Sequence, residues 1–368
     1  MMNRMIAANL VHRPLRSLIS VIAIALEVTL ILLIVGLSLG MLHDNGQRQA
    51  GIGADVIVMP PGSSFFMGIT GAPMSIKIGD KLRALPHVAV VSPVVQDVST
   101  NGSLEIISGI DLDSYEKLGG PFLYLSGGPF QGPYDALVDD LIARSNKIKV
   151  GDTISVLSHS FQVSGIVEHG KGARKFIPLA TMQDLLGAQG KASIFYVKAD
   201  KPQNAGLVSK EISQVRGLEG YRALSMADYL TFFTPSNTPL LKSFIEVVIG
   251  ISMVIGFIVI FQAMYAAVME RTREIGILKS MGASKLYIVQ VILRETILLA
   301  IAGVVVGIIF SVLARFGLRR AKPLTQIEIS AIWVLWATLI AITSSIIGAL
   351  YPAYKAARKD PVDALAYE

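Results

Sequence analysis

Four long apolar stretches dominate the pattern of hydrophobic and polar positions along the chain. They cover residues 17–42, 244–268, 294–313 and 332–350, and a helix needs about 20 such residues to cross a hydrocarbon core about 30 Å thick. The first stretch has an apolar core too long for a signal peptide and is followed by no small-residue cleavage site. The pattern therefore predicts four transmembrane helices.

Between the first two spans, residues 43–240 follow a different pattern. Short alternating or β-branched runs predict strands at residues 55–58, 88–95, 105–110, 153–156, 161–167 and 193–198. Helix-like patterns lie between them at residues 79–85, 134–144, 181–186 and 205–215. Because the two kinds of element interleave, we predict a large mixed α/β domain inserted between transmembrane helices one and two.

The composition strengthens the membrane interpretation. The chain is 52% hydrophobic and only 16% charged, whereas soluble domains are about 45–50% apolar and about 25% charged. Its net charge of +6 gathers beside the apolar stretches, which favours a membrane protein in contact with the bilayer over one that binds nucleic acid. Without cysteine, disulfides and thiolate sites are excluded.

Basic residues predict the orientation, because Lys and Arg concentrate on the cytoplasmic side. They occur in residues 1–16, in the loop 269–290 and in the tail 351–368. These three segments are therefore expected in the cytoplasm and residues 43–240 outside it. The outer loop 314–331 contradicts the rule, since it carries Arg315, Arg319, Arg320 and Lys322.

Small residues at helical spacing mark faces that allow close helix packing in lipid, against each other or against a second copy. They are Gly36, Gly40, Gly303, Gly307, Ala337, Ala341, Ser345 and Ala349. Glu27 is the single charge of the first span and needs a partner there. Two interpretations stay open for it: a hydrogen bond in a dimer interface, or a role in substrate handling or coupling.

Candidate chemistry is sparse outside the spans. The five histidines are scattered, so we expect no metal site. Asp139 and Asp140 are expected to be solvated loop carboxylates or helix caps rather than an acid–base pair. The Gly- and Pro-rich loop 60–74 holds Phe65, Phe66 and Met67. These side chains are expected either to pack beneath the domain or to touch a cargo, a partner or the outer leaflet.

Two segments beside the spans carry a family resemblance. The sequence ERTREIGILKSMGAS at residues 270–284, followed by Glu295, resembles the coupling segment of the MacB/FtsX-type ABC transporter permeases. The sequence PAYKAARKDPVDAL at residues 352–365 is similar to the end of the same family. Residues 136–167 look like part of its periplasmic core domain, so the resemblance covers nearly the whole chain.

The resemblance implies a type VII ABC transporter fold, in which two permeases pair and two ATPase subunits grip the cytoplasmic loops. ATP-driven motion is then relayed to the outer domains, a process called mechanotransmission. By this resemblance the ATPase-coupling residues are Glu270, Arg271, Arg273, Glu274, Gly276, Lys279, Gly282 and Ala283. The C-terminal cytoplasmic motif comprises Pro352, Ala356, Asp360, Pro361, Ala364 and Leu365.

The chain is expected to be a stand-alone permease and not an enzyme. Only residues 1–16 precede the first span and no Walker A motif occurs, so we expect a separate ATPase chain to bind ATP and Mg²⁺. The leading hypothesis is export of a drug, peptide or lipid-like cargo from the bacterial inner membrane. A periplasmic adaptor and an outer-membrane duct would be further partners.

Two alternatives stay open. LolC/LolE-like permeases extract lipoproteins or lipids, and the Phe65–Met67 loop would then touch acyl chains. FtsX-like permeases regulate cell-wall hydrolases, although their outer domain is typically smaller than residues 43–240.

Overall fold

The computed structural model describes residues 14–63, 73–99 and 105–358. Its helices, in chain order, are α1 (Pro14–Ala50), α2 (Ile78–Arg83), α3 (Leu112–Gly119), α4 (Asp140–Asn146), α5 (Leu179–Leu185), α6 (Ala205–Gln214), α7 (Met226–Thr231), α8 (Pro239–Glu270), α9 (Thr272–Ser280), α10 (Lys285–Ala321) and α11 (Ala331–Arg358).

The strands, in chain order, are β1 (Val56–Met59), β2 (Met74–Ser75), β3 (Val88–Ser99), β4 (Glu105–Ile110), β5 (Tyr124–Gly127), β6 (Asp135–Asp139), β7 (Thr153–Val156), β8 (His159–Val167), β9 (Lys175–Pro178), β10 (Lys191–Ala192), β11 (Ile194–Ala199) and β12 (Arg222–Ser225). The chain divides into two compact units. The helical unit comprises the residues up to Gly40, Pro239–Arg320 and those from Ile327 onward, and the sheet unit comprises Met41–Thr238 and Ala321–Gln326.

The helical unit confirms the predicted four membrane-crossing helices. Within the described residues, α1, α8, α10 and α11 are long and apolar enough to span a bilayer. Each extends beyond its apolar stretch, and residues 351–358 are helical because α11 continues to Arg358. The core of the unit is formed by fully buried residues such as Ile24, Ile260 and Ala341.

The sheet unit confirms the predicted mixed α/β domain between the first two membrane helices. Its large sheet has the strand order β12-β1-β11-β3-β4-β9-β6-β8-β5, with β7 paired to β8. Most neighbours are antiparallel, but β4–β9 and β6–β8 are parallel. Two further short strands, β2 and β10, pair with each other.

Strand β1 shows why the domain core is built on both sides of this sheet. Val56 and Val58 belong to one apolar cluster with α2 and α6. Ile57 and Met59 belong to another, with residues of α3 and α7. Because successive side chains of a strand point to opposite faces, an unbroken apolar run fits a strand covered on both faces.

One predicted element is wrong in type. The pattern predicts one helix over residues 134–144, but Asp135–Asp139 form β6 and the helix α4 starts at Asp140. The run Ala-Leu-Val at residues 136–138 is fully buried, and periodicity cannot separate a short buried strand from a buried helical turn. Asp139 caps α4 by accepting a hydrogen bond from the Ile142 amide at 2.7 Å, as expected for a helix cap.

Candidate functional site

The coupling segment (residues 269–290) joins α8 to α10 and contains the short helix α9. Helix α9 starts at Thr272, two residues after α8 ends at Glu270. The chain then turns at Gly282, whose φ of +93° is a left-handed conformation that costs glycine little. The following helix α10 starts at Lys285, so the segment is a compact helical turn.

One side of this segment is fixed to the helices around it. Arg271 Nη1 donates to Glu295 Oε2 at 2.9 Å, and both side chains are largely buried. Lys279 Nζ donates to the carbonyl oxygen of Ala357 at 3.1 Å. Gly276 is buried between these two attachments. The segment is therefore tied to α10 through an ion pair and to α11 through a hydrogen bond from a lysine side chain to a backbone carbonyl.

The opposite side of the segment is open. We define its exposed face as Arg273, Glu274, Ile277 and Met281, all of which are exposed. Ile277 is 43% exposed and Met281 is 72% exposed. A face with charges of both signs and accessible apolar groups suits a protein partner better than an anionic bilayer, which favours a one-sided excess of Lys and Arg.

A cavity of about 300 Å³ lies beside the segment, among α8, α9 and α10. Apolar residues form most of its wall, including Met264, Ile275 and Ile292. Its polar lining comes from the ion pair of Arg271 and Glu295 and from Glu274 and Tyr287. The chemistry of this wall suits an apolar side chain with one polar group, as in many binding pockets.

The residues assigned by resemblance to the coupling element occupy different environments in the structure. Glu270, Arg273 and Glu274 are exposed, whereas Arg271, Gly276 and Lys279 face the neighbouring helices. The last two of the set, Gly282 and Ala283, form the turn before α10. The sequence motif alone groups all of them as one element.

The C-terminal motif is placed in part. Pro352 and Ala356 are buried within α11, where they pack inside the helical unit. The other four members of the motif lie outside the described residues: Asp360, Pro361, Ala364 and Leu365. The loop residues Phe65, Phe66 and Met67 also lie outside them.

Glu27 lies inside the chain's own helical unit. Its side chain is 2% exposed and accepts a hydrogen bond from Ser344 Oγ on α11 at 3.1 Å. A Cβ atom at Gly256 of α8 would overlap with Glu27 Oε2. Gly256 thus leaves the space that the carboxyl group fills.

The small residues predicted for helix packing also lie within the unit. A Cβ at Gly303 would come 2.6 Å from the Ile24 side chain, and one at Gly307 would come 2.9 Å from the Val28 side chain, so α10 packs closely on α1. Gly36 accepts a hydrogen bond from the Glu328 amide at 2.9 Å. The others are buried: Gly40, Ala337, Ala341, Ser345 and Ala349.

In the sheet unit, a buried charge network joins the last turns of α1 to the sheet. Arg174 donates to Asp139 at 2.8 Å and to Asp44 at 2.9 Å. Arg48 donates to Asp44 at 3.0 Å and to the Gly172 carbonyl oxygen at 2.6 Å. Burial raises the pKa of Asp139, and the Arg174 guanidinium opposes that rise.

Sequence reasoning missed this network and the groups around Glu27. The spacing of Asp44 and Arg48 by four residues on a helix was an available signal for an ion pair. By contrast, Arg174, Ser344 and Gly256 are brought to their partners only by the tertiary fold. Within residues 14–63, 73–99 and 105–358, no group of three or more His, Cys, Asp or Glu side chains is arranged to hold a metal ion.

Two family models match the chain. Residues 17–215 match the MacB-like periplasmic core domain, and residues 246–361 match the FtsX-like permease C-terminal domain. The macrolide export ATP-binding/permease protein MacB of Escherichia coli is 30% identical over 230 residues, which cover 60% of this chain and 35% of that protein. The MacB of Shigella flexneri gives the same values, 30% identity, 60% and 35%. The chain thus spans about a third of the length of these curated relatives.

Solved structures of lower similarity include the periplasmic region of MacB from Actinobacillus actinomycetemcomitans. It has a TM-score of 0.38 and 14% identity, and the match covers 49% of this chain and 92% of that one. The extracellular domain of the noncanonic ABC-type transporter YknZ from Gram-positive bacteria has a TM-score of 0.36 and 13% identity, with 46% and 98% covered.

The assignment rests on the family models. The periplasmic core model alone covers more than half of the chain. The second model covers α10, α11, the coupling segment and most of α8. The chain belongs to the MacB/FtsX-type ABC transporter permeases.

Proposed function

We propose that this permease relays motion from a partner ATPase, through the coupling segment, to its extracytoplasmic domain. The observation that carries the proposal is the division of the segment into an attached side and the exposed face. An ATPase that binds the exposed face would displace a helix held to α10 by Arg271–Glu295 and to α11 by Lys279. Since these attachments are buried or partly buried, the displacement would move the helices rather than the loop alone.

The remaining parts of the relay agree with this proposal. Helix α1 supplies residues to both units, and its last turns enter the charge network of Asp44, Arg48 and Arg174. A movement of α1 would therefore be passed to the sheet without an intervening flexible loop. In this proposal ATP and Mg²⁺ are bound by the partner ATPase, and a second permease copy completes the transporter.

The proposed process is export of a drug, peptide or lipid-like cargo across the envelope. The similarity to the macrolide export ATP-binding/permease protein MacB supports this direction. We place the permease in the bacterial inner membrane, with both termini in the cytoplasm and the sheet unit outside, following the distribution of basic residues. A periplasmic adaptor and an outer-membrane duct would complete an export path.

Charge reversal on the exposed face tests the proposal. Glu274→Lys should abolish co-purification of an ABC ATPase from native membranes, or weaken its ATP hydrolysis in the complex at least about tenfold, because like charges at an interface cost several kcal/mol. Co-purified chains would be identified by mass spectrometry, and ATP hydrolysis would be measured in lipid nanodiscs.

Asp113→Lys is the matched control, since Asp113 is an exposed carboxylate at the start of α3 in the sheet unit. It should leave ATPase binding unchanged. Normal ATPase binding and stimulation by Glu274→Lys would overturn the assignment of this face. Absence of any ATPase from the wild-type preparation would overturn the relay itself.

A further inference from the structure

The last turns of α10 carry an exposed basic cluster, which we define as Arg315, Arg319 and Arg320. Arg319 and Arg320 are exposed and Arg315 is half-buried. Within the described part of the chain, none of the three forms an ion pair. Three uncompensated guanidinium groups within six residues repel one another, so this surface favours an anionic ligand.

The cluster continues an apolar stripe on the same face of the helix. Ile309, Leu313 and Phe316 are 54%, 61% and 68% exposed, and they follow each other at spacings of four and three residues. Arg320 comes four residues after Phe316, so it extends this stripe. In a membrane the apolar part contacts acyl chains, and the guanidinium groups at its end reach the level of the headgroups.

The two tryptophans of the chain also indicate that this helix end lies at the depth of the lipid headgroups. Trp333 and Trp336 lie in the first two turns of α11, and Trp336 is 51% exposed. Helix α11 follows the end of α10 after residues 322–330, so both helix ends are on one side of the membrane. Tryptophan is enriched where a bilayer meets water. The basic cluster is therefore expected at the membrane surface.

We propose that the basic cluster binds the phosphate group of an anionic phospholipid in the leaflet that meets this end of α10. Guanidinium groups recognise phosphate oxygens through paired hydrogen bonds, and arginine holds its charge at any physiological pH. The exposed apolar stripe below holds the acyl chains of the same lipid. Binding of this kind fixes the C-terminal end of α10 to the membrane surface. The N-terminal end of α10 comes directly after the turn at Gly282. The inference is independent of the proposed relay, because it needs no ATPase.

Tryptophan fluorescence gives a direct test, because both tryptophans lie at this helix end and no label is needed. The full chain would be reconstituted with brominated phosphatidylglycerol or brominated phosphatidylcholine, whose bromine atoms quench nearby tryptophan. The wild type should be quenched at lower fractions of phosphatidylglycerol than of phosphatidylcholine. Each cation near an anionic bilayer strengthens the attraction about fivefold, so Arg319→Gln/Arg320→Gln should reduce this preference about thirtyfold.

Lys201→Gln/Lys210→Gln is the matched control. It removes the same charge from exposed positions of the sheet unit and should keep the preference. Raising the salt concentration to about 0.5 M should weaken it in the wild type, since exposed charges are screened. Equal quenching by the two lipids in the wild type would overturn the proposal. So would a preference that survives Arg319→Gln/Arg320→Gln, or one that the control variant also loses.

Discussion

In the sheet unit the buried carboxylate of Asp139 forms an ion pair with a guanidinium group. In the helical unit the buried side chain of Glu27 accepts a hydrogen bond from the hydroxyl of Ser344. Asp139 and Glu27 are equally inaccessible, 1% and 2% exposed. Arg174 lies 2.8 Å from Asp139 and also binds Asp44. Glu27 has Ser344 at 3.1 Å, and its space is provided by the missing side chain of Gly256.

The difference between these two carboxyl groups follows from the environment that each of them has in the unfolded state. A carboxylate of the sheet unit is hydrated in the unfolded chain, so its burial must be offset by a partner of opposite charge. A group within a membrane helix has no bulk water even when the helices separate, so a hydrogen bond between helices adds little. Close packing of small residues then decides the stability of the helical unit.

Removing Arg174 should produce the largest effect. Arg174→Ala leaves Asp139 and Asp44 without their shared cation and should destabilise the sheet unit by about 3–5 kcal/mol, the usual result of breaking a buried ion pair from one side. Hydrogen exchange of the full chain, read at β6 and β9, measures the free energy of local unfolding.

Arg83→Ala is the control for that experiment. Arg83 also pairs with a carboxylate, that of Asp80, but the two side chains are 51% and 72% exposed. Its removal should cost less than about 1 kcal/mol, because solvent screens an exposed ion pair. Equal effects of the two substitutions would show that burial does not set the value of these pairs.

Filling the space at Gly256 should have the next largest effect. Gly256→Leu forces a side chain into the position of the Glu27 carboxyl group and should cost about 1–3 kcal/mol, the usual penalty of overpacking. Glu27→Ala in the same chain should recover most of this loss by vacating the space. Thermal unfolding in detergent measures both.

Gly250→Leu on the same helix α8 is the matched control. A Cβ at Gly250 would meet no atom within 4 Å, so this substitution should leave the melting temperature nearly unchanged. If Glu27→Ala fails to rescue Gly256→Leu, the carboxyl group does not occupy the space that the structure assigns to it.

Much of the fold follows from local patterns in the sequence. Long apolar stretches predict membrane helices because the bilayer demands that backbone polar groups bond within each segment. The patterns predict strands β4 and β7 with the bounds that the structure gives, residues 105–110 and 153–156. They fail at residues 135–139, because a run of three buried apolar residues carries no period.

The candidate site was predictable in its location but not in its internal division. The motif at residues 270–284 marks the coupling segment, yet Arg271 and Arg273 are the same residue type two positions apart. Only the fold shows that Arg271 pairs with Glu295 while Arg273 is exposed. The partners of Glu27 were equally hidden, since Ser344 and Gly256 are ordinary small residues of membrane helices.

The smallest effect is expected for the hydrogen bond of Glu27. Ser344→Ala removes the donor and should cost about 0.6 kcal/mol, the average for such bonds within membrane helices, with thermal unfolding in detergent as the measurement. Thr343→Ala, which alters the exposed neighbouring hydroxyl, controls for the change in helix propensity. A loss of about 3–5 kcal/mol for Ser344→Ala alone, the value expected for a buried ion pair broken from one side, would show that Glu27 depends on its partner as strongly as Asp139 depends on Arg174. The contrast between the two units would then lie in their packing and not in how they treat a buried carboxyl group.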